Sequence, residues 1–173
     1  MTLYLVESPL KETVRDRAEL ERKLELAAQG GASLIEVQVA GDFSKAFFIF
    51  ECEGQEQVAG SLAAADLPAA LIKEVRLVGK ELDEVKRRSG TVNYLVEWNF
   101  PEGLTMEQYL ERKRKNSVHY AEVPEVSFAR TYVCEDMTKC LCFYQAPDEE
   151  AVLRARQAVQ TPVDSITSIL QRE

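Results

Sequence analysis

The chain has 173 residues, of which 46% are hydrophobic and 29% charged, and its formal net charge is −8. Residues 1–90 and the remainder each carry a net charge of −4, which argues against nucleic acid or an anionic membrane as the main partner. No stretch approaches the ~18 apolar residues of a membrane-spanning helix, and the N-terminal MTLYLVESPL lacks the basic segment of a signal peptide. We therefore expect a cytoplasmic protein whose four cysteines are thiols.

The first part of the chain predicts the element order βαββαβ. Runs rich in β-branched and aromatic residues indicate strands, and apolar residues at helical spacing indicate helices. The predicted elements are strand 3–6, helix 17–28, strand 33–40, a strand that follows turn 41–44 and ends at 50, helix 55–65 and strand 71–78.

Residues 79–90 predict a linker with a turn or two of helix, because ELDEVKRR lies between two glycines. The same order then restarts. The predicted elements are strand 92–98, helix 106–115, strands 127–134 and 139–145, helix 148–159 and strand 165–170.

The restart reflects an internal duplication. The segment Asp136 to Glu150 aligns with Asp42 to Glu56 at an offset of 94, and Tyr-Leu-Val-Glu occurs at both 4–7 and 94–97. A βαββαβ unit is the ferredoxin-like arrangement, with both helices on one face of a four-stranded sheet. We therefore predict an α+β fold of tandem ferredoxin-like repeats, 1–78 and 91–173, whose bare sheet faces cover each other as an intramolecular pseudo-dimeric sandwich or barrel.

Polar residues on the strands predict a ligand pocket between the two sheets. Strand alternation places Glu7 and Glu97 away from the helices, and it does the same for Glu36, Arg130 and Tyr132. Such carboxylates can bind a metal ion, take a proton or pair with Arg130. The alternative is that they are exposed strand ends or an Arg–Glu pair.

One set of residues offers soft ligands for a metal ion. It consists of the single histidine and three cysteines of the second repeat: His119, Cys134, Cys140 and Cys142. Positions 140 and 142 of a strand share a face but lie about 7 Å apart, which is wide for ligands of one ion. Structural thiols, a nickel or zinc site and a redox role are the three interpretations.

A basic run, Arg112 to Lys115, ends the helix 106–115 and is followed by His119. Cations suit a helix C-terminus, and consecutive charges are typical of a solvated face. Anion or partner binding is the alternative. Trp98, Phe100 and Tyr109 either pack the first strand of this repeat against its helix or line the mouth of a pocket.

Residues 92–170 resemble a bacterial ferredoxin-like family that includes a nickel-binding homodimeric protein. The matching segments are Tyr94 to Glu97, Pro101, Gly103, Ser127 to Asp136 (SFARTYVCED), Lys139 to Pro147 (KCLCFYQAP), Glu149 and Pro162-Val163-Asp164. The resemblance implies the fold, nickel as a ligand and association of copies. Family members often carry a histidine in the second helix where this chain has Ala155.

The sequence analysis leads to a protein that binds a small ligand or a divalent, nickel-like metal ion, without a defined reaction. One alternative is an enzyme of the dimeric-barrel type that uses lumen carboxylates or Tyr132 as acid or base. Another is an acidic protein-interaction module. Fold alone does not choose among these functions.

Overall fold

The structure, a computed structural model, describes residues 1–79, 82–86 and 91–171. Two compact units divide the chain, Met1–Val75 and Arg76–Gln171. No helix in the described part of the chain is long and apolar enough to cross a bilayer.

The first unit is built on antiparallel neighbours in the order β2-β3-β1-β4. Its elements are β1 Thr2–Pro9, α1 Arg17–Ala28, β2 Ser33–Val39, β3 Lys45–Cys52, α2 Gln55–Ala65 and β4 Leu71–Val78, the last of which extends past the unit boundary at Val75. This strand order, with one helix before β2 and one after β3, is the ferredoxin-like arrangement that the sequence predicts.

The second unit repeats that order as β6-β7-β5-β8. Its elements are α3 Leu82–Lys86, β5 Tyr94–Asn99, α4 Met106–Asn116, a 3-10 helix Ser117–Glu122, β6 Ser127–Cys134, β7 Lys139–Gln145, α5 Glu149–Ala158 and β8 Ser165–Ser168. The predicted α+β class and the tandem ferredoxin-like repeats are confirmed.

Irregular backbone features also recur at the offset of 94, which supports the duplication. A break in strand register between Leu34 and Glu36 has its equivalent between Phe128 and Arg130. Four non-glycine residues have left-handed φ angles and form two equivalent pairs: Phe43 (61°) with Met137 (59°), and Asp66 (53°) with Gln160 (56°). Such conformations are uncommon outside glycine, so their recurrence indicates one ancestral backbone.

The core of the second unit lies between its sheet and helices α4 and α5. The alternate strand residues that face the helices include Val96, Trp98, Cys140, Cys142 and Tyr144, all of which are buried. Helix α5 begins after Asp148, whose carboxylate accepts a hydrogen bond from the backbone N–H of Ala151 (2.8 Å), as expected of an N-cap.

The structure differs from the predicted elements in the connections. A 3-10 helix over Ser117–Glu122 continues from α4, where the sequence analysis predicts no element. Within the predicted linker 79–90, helix α3 has five residues, and residues 80–81 and 87–90 lie outside the described part. The repeat boundaries 1–78 and 91–173 stay predictions.

The two glycines Gly30 and Gly60 provide a matched test of packing in the first unit. A Cβ at Gly30 would lie 2.6 Å from the Cα of Ser61 in α2, so Gly30→Ala forces backbone apart. We expect it to lower the free energy of unfolding by about 1–3 kcal/mol.

A Cβ at Gly60 meets nothing within 4 Å, and this glycine is exposed within α2. Gly60→Ala should therefore raise the free energy of unfolding by about 0.5–1 kcal/mol, because alanine has the higher helix propensity. Urea denaturation measures both changes. Equal effects of the two substitutions would contradict the close approach at Gly30.

Candidate functional site

The predicted pocket residues of the second unit are buried on the sheet face opposite the helices. Glu97 and Tyr132 both pair with Leu141 in the strand register, so the three side chains share one face. Glu97 is 8% exposed. Its carboxylate accepts hydrogen bonds from Lys139 Nζ (2.8 Å) and Ser165 Oγ (3.0 Å). Arg130 lies over the Phe143 ring, 5.5 Å from its centroid.

The equivalent face of the first unit carries the other two predicted residues. Glu36 is 8% exposed and accepts a hydrogen bond from Gln38 Nε2 (2.7 Å). Glu7 is half-buried and pairs in register with Phe47, as Gln38 does. Within each unit, these side chains lie on the sheet face that strand alternation predicts. A pocket shared by the two sheets stays a prediction.

The structure does not bring all four predicted metal ligands together. The side chain of His119 is 43% exposed, and its Nδ1 lies 2.6 Å from Glu122 Oε2. Cys134 follows Val133, which faces the helices, so strand alternation turns Cys134 to the opposite face from Cys140 and Cys142. Among the described residues, no group of three or more His, Cys, Asp or Glu side chains could hold a metal ion.

Cys140 and Cys142 are brought together by β7. Their sulfur atoms lie 3.8 Å apart, so the predicted 7 Å, which is the backbone spacing of a strand, overestimates their separation. None of the four cysteines is in a disulfide.

The two thiols have opposite pKa shifts. The hydrogen bond between them holds the pKa of Cys142 well below its usual value. Arg156 Nη1 (3.4 Å) and Thr131 Oγ1 (3.3 Å) also donate to the Cys142 sulfur, so both favour its ionised form. The hydrogen bond to Cys142, together with burial, raises the pKa of Cys140. One sulfur is therefore prepared to be a thiolate while the other keeps its proton.

Arg156 of α5 is the buried cation of this site and is only 2% exposed. Its Nη1 also donates to Tyr144 Oη (3.1 Å), and its Nη2 donates to the Pro162 carbonyl (2.5 Å). Burial acts to lower the pKa of Arg156, but the Cys142 thiolate and Tyr144 beside it raise that pKa above its usual value. Its Nε is buried without a hydrogen-bond partner among the described residues. An unsatisfied buried donor of this kind calls for an explanation.

Tyrosine hydroxyls continue the network towards the surface. Tyr120 Oη lies 2.6 Å from Tyr144 Oη, and the Tyr120 ring stacks on Phe128 at 5.5 Å between centroids. Burial raises the pKa of Tyr120 to about 12 and raises that of Tyr109 as well. These phenols therefore keep their protons at neutral pH.

A solvent-open cleft with an empty volume of about 330 Å³ lies over this network. Ten residues line it: Trp98, Tyr109, Arg112, Lys113, Asn116, Ser117, Tyr120, Arg156, Val159 and Thr161. Three of them are cationic and none is acidic, as far as the described residues show.

Two residues of the basic run, Arg112 and Lys113, line this cleft, although three of the four residues of the run are exposed, as expected of a solvated face. Lys113 is half-buried, with its ammonium 4.0 Å from the centroid of the Phe128 ring, and burial lowers its pKa. Arg112 lies over the Trp98 ring at 5.5 Å and donates a hydrogen bond to the Gln160 carbonyl. Arg114 and Lys115 are exposed. Trp98 and Tyr109 are buried in the core with Phe100 packed against them, as the packing interpretation predicts, and Trp98 and Tyr109 also line the cleft.

The first unit has no such polar cluster, because apolar residues occupy the equivalent positions. At the offset of 94, Ala46, Phe48 and Phe50 replace Cys140, Cys142 and Tyr144, Leu62 replaces Arg156 and Val37 replaces Thr131. Of these, Ala46, Phe48, Phe50 and Leu62 are fully or nearly fully buried. The same fold can therefore be built with apolar residues at these positions, so the polar cluster is not a requirement of the fold itself.

Sequence reasoning missed Arg156, although a signal was available. Val152, Ala155, Arg156 and Val159 have the spacing i, i+3, i+4 and i+7, which marks the buried stripe of a helix. A cation on such a stripe is expected to meet a buried partner.

Residues 94–169 match the model of a family described as "Nickel responsive protein SCO4226-like". Over the whole chain, the structure is similar to the crystal structure of "Putative Chlorite dismutase TA0507" (12% identity, TM-score 0.56, 99% of this chain and 96% of that one). A microcompartments protein from Desulfitobacterium hafniense DCB aligns at 12% identity and a TM-score of 0.37, over 99% of this chain and 95% of that one. No curated protein matches. The similarity to the putative chlorite dismutase supports the tandem fold and no statement about function.

The described residues offer a nickel ion only part of a ligand set. The 3.8 Å between Cys140 and Cys142 suits two thiolates at about 2.3 Å from one tetrahedral ion. However, no third ligand joins them within the described part, and Arg156 already places a positive charge beside Cys142. Ala155, buried in the same core, supplies no donor.

Proposed function

We propose that the second unit binds a small anion, such as a phosphate or a small carboxylate, in the cleft over Arg156. The observation that carries the proposal is a cleft with three cationic residues and no acidic residue in its described lining. A buried cation is costly unless paired. The Cys142 thiolate offsets the positive charge of Arg156. An anion in the cleft would offset the positive charges of Arg112 and Lys113.

The chemistry of the lining indicates the class of ligand. The Nε of Arg156 lacks a partner in the described chain, and a planar guanidinium suits carboxylate and phosphate oxygens. Tyr120, Ser117 and Asn116 add hydroxyl and amide donors. Trp98 and Tyr109 provide an aromatic wall for an apolar part of the ligand. The contrast with the apolar first unit supports a role other than stability.

Trp98 is the single tryptophan and lines the cleft, so its fluorescence reports occupancy. We expect a saturable change on titration with inorganic phosphate or a small aromatic carboxylate at constant ionic strength. Lys113→Met should weaken binding by about tenfold or more, because hydrogen bonds to charged groups contribute about 1.5–3 kcal/mol.

Lys115→Met is the matched control, since Lys115 is exposed on the same helix and lies outside the lining. It should leave the dissociation constant within about twofold, because exposed charges are screened. Equal weakening by the two substitutions would show general electrostatic attraction instead of a site and would refute the proposal.

A divalent metal ion such as nickel or zinc is the second candidate ligand. The family description and the separation of the Cys140 and Cys142 sulfurs favour it. Elemental analysis of the purified full chain tests it. A content near one ion per chain that Cys142→Ser abolishes would support metal binding, and a trace content unaffected by that change would leave the anion as ligand.

A further inference from the structure

We propose that Lys113 forms a Schiff base with a small 2-oxo acid, a compound in which a carbonyl group adjoins a carboxylate. The proposal deepens the anion binding proposed above and rests on it, because it names the substrate class of the same cleft. Lys113 lines this cleft together with Arg112 and Arg156. The arginines would hold the carboxylate, and the lysine would react with the carbonyl carbon.

The amino group of Lys113 has neither a hydrogen bond nor an ion pair within the described part of the chain. It lies instead over the Phe128 ring, 4.0 Å from the centroid, on a half-buried side chain. Burial lowers the pKa of Lys113, although the Cys142 thiolate acts against it, and the positive charge of Arg156 adds to the lowering. Desolvation and a neighbouring cation are the conditions that make a lysine nucleophilic.

The first unit shows what Lys113 lacks. In α1, Lys23 Nζ donates a hydrogen bond to the Asp66 carbonyl (2.9 Å) and lies 3.9 Å from the Asp66 carboxylate. The equivalent of Asp66 in the second unit is Gln160, which carries no negative charge. The Gln160 carbonyl accepts its hydrogen bond from Arg112. The second unit therefore supplies Lys113 with no counterpart of the acidic partner that Lys23 has.

The surroundings of Lys113 suit the product of the reaction better than the ammonium group. An ammonium has three donors to satisfy, whereas a protonated Schiff base has one, and the described residues offer Lys113 no acceptor. A protonated Schiff base is also a planar cation, and the face of an aromatic ring attracts cations. Phe128 can therefore stabilise the product without any rearrangement of hydrogen bonds.

The arginines provide for the carboxylate of the ligand. Arg156 Nε is buried without a partner in the described chain, and guanidinium groups suit carboxylate oxygens. In a 2-oxo acid the carbonyl carbon is bonded to the carboxylate carbon, so a contact with arginine keeps the reactive atom in the cleft that Lys113 lines. Holding two reacting groups together in this way raises the rate of their reaction.

The reaction balances without an oxidant or a reductant. The unprotonated Nζ of Lys113 attacks the carbonyl carbon, a C–N bond forms, the carbonyl π bond breaks, and one proton passes from nitrogen to oxygen. The resulting carbinolamine loses its hydroxyl group with the second proton of the nitrogen as one water molecule, and a C=N bond forms. Water reverses both steps, so detection of the adduct requires its reduction.

The test incubates the full-length wild-type chain with limiting glyoxylate and sodium cyanoborohydride, which reduces a Schiff base to a stable secondary amine. Cleavage after glutamate gives the peptide 112–122, which contains both Lys113 and the exposed Lys115, and its fragmentation in the mass spectrometer compares the two lysines. We expect Lys113 to be modified about tenfold faster than Lys115, because more of its amine is unprotonated and the carboxylate is held nearby. Excess phosphate should slow the modification of Lys113 and leave that of Lys115 unchanged.

Lys113→Arg and Lys115→Arg are matched variants, because both keep the positive charge. Intact mass should show a single addition to Lys115→Arg, as in the wild type, and little addition to Lys113→Arg. Modification of Lys113 no faster than that of Lys115 in the wild-type chain would overturn the proposal, even where a variant fails to fold. Phosphate titration of Trp98 fluorescence tests anion binding separately, so a saturable titration without selective modification would refute the Schiff base alone.

Discussion

Replacing Arg156 by methionine should lower the free energy of unfolding by about 3–5 kcal/mol, the range for removing one partner of a buried charge pair. The guanidinium is 2% exposed and donates hydrogen bonds to Cys142, Tyr144 and the Pro162 carbonyl. Its loss removes one hydrogen bond from each of the three acceptors, of which Cys142 and Tyr144 are buried. Urea denaturation followed by circular dichroism measures the change.

Two further variants separate the loss of a charge from the loss of packing. Arg154→Met makes the same substitution at an exposed position of α5 and should stay within about 0.5 kcal/mol of the wild type. The combined change Cys142→Phe, Tyr144→Phe and Arg156→Leu installs the residues of the first unit. It should recover most of the stability lost by Arg156→Met, because an apolar core replaces the whole network. A combined variant no more stable than Arg156→Met would contradict this reasoning.

Glu97→Gln should cost about 2–4 kcal/mol of unfolding free energy, because it removes the negative charge from a buried ion pair with Lys139. The Lys139 and Glu97 side chains are 13% and 10% exposed, and their charged atoms are 2.8 Å apart. Lys139→Met should have a comparable cost. The cost of the double variant should be smaller than the sum of the two single-variant costs by at least about 1 kcal/mol.

Glu111→Gln is the control for this cycle. Glu111 is likewise in an ion pair, with Arg114 at 2.6 Å, but its side chain is 60% exposed. Exposed pairs contribute about 0–1 kcal/mol. Additive effects of Glu97→Gln and Lys139→Met would show that the buried contact does not hold this sheet face together.

The fold could be predicted because two independent signals agree. Strand and helix periodicity gave the bounds of α1, α2 and β4 as the structure has them, and the repeat at an offset of 94 fixed the order of the second unit. The 3-10 helix Ser117–Glu122 escaped prediction because one irregular turn lacks a hydrophobic period. The duplication gave no help there, since it is clearest over Ser33 to Val75 and its equivalent.

The candidate site was harder to predict, because its geometry depends on side chains rather than on strand spacing. Alternation correctly put Cys140 and Cys142 on one face, but only side-chain rotamers bring their sulfurs within 3.8 Å. Lys113 looked solvated as one of four consecutive basic residues, and its burial depends on how Phe128 and the 3-10 helix pack. A signal in the sequence could have indicated the site. At five positions, the first unit has apolar residues where the second unit has the residues of the polar cluster.

The most direct test of anion binding follows the Nε–H of Arg156 by ¹H–¹⁵N NMR during titration of the wild-type chain with phosphate. This donor is buried and lacks a partner in the described structure, so its proton should exchange slowly enough to observe. We predict a saturating downfield shift with the same midpoint as the Trp98 fluorescence change. A Nε–H resonance that stays in place while phosphate saturates the fluorescence signal would contradict the site.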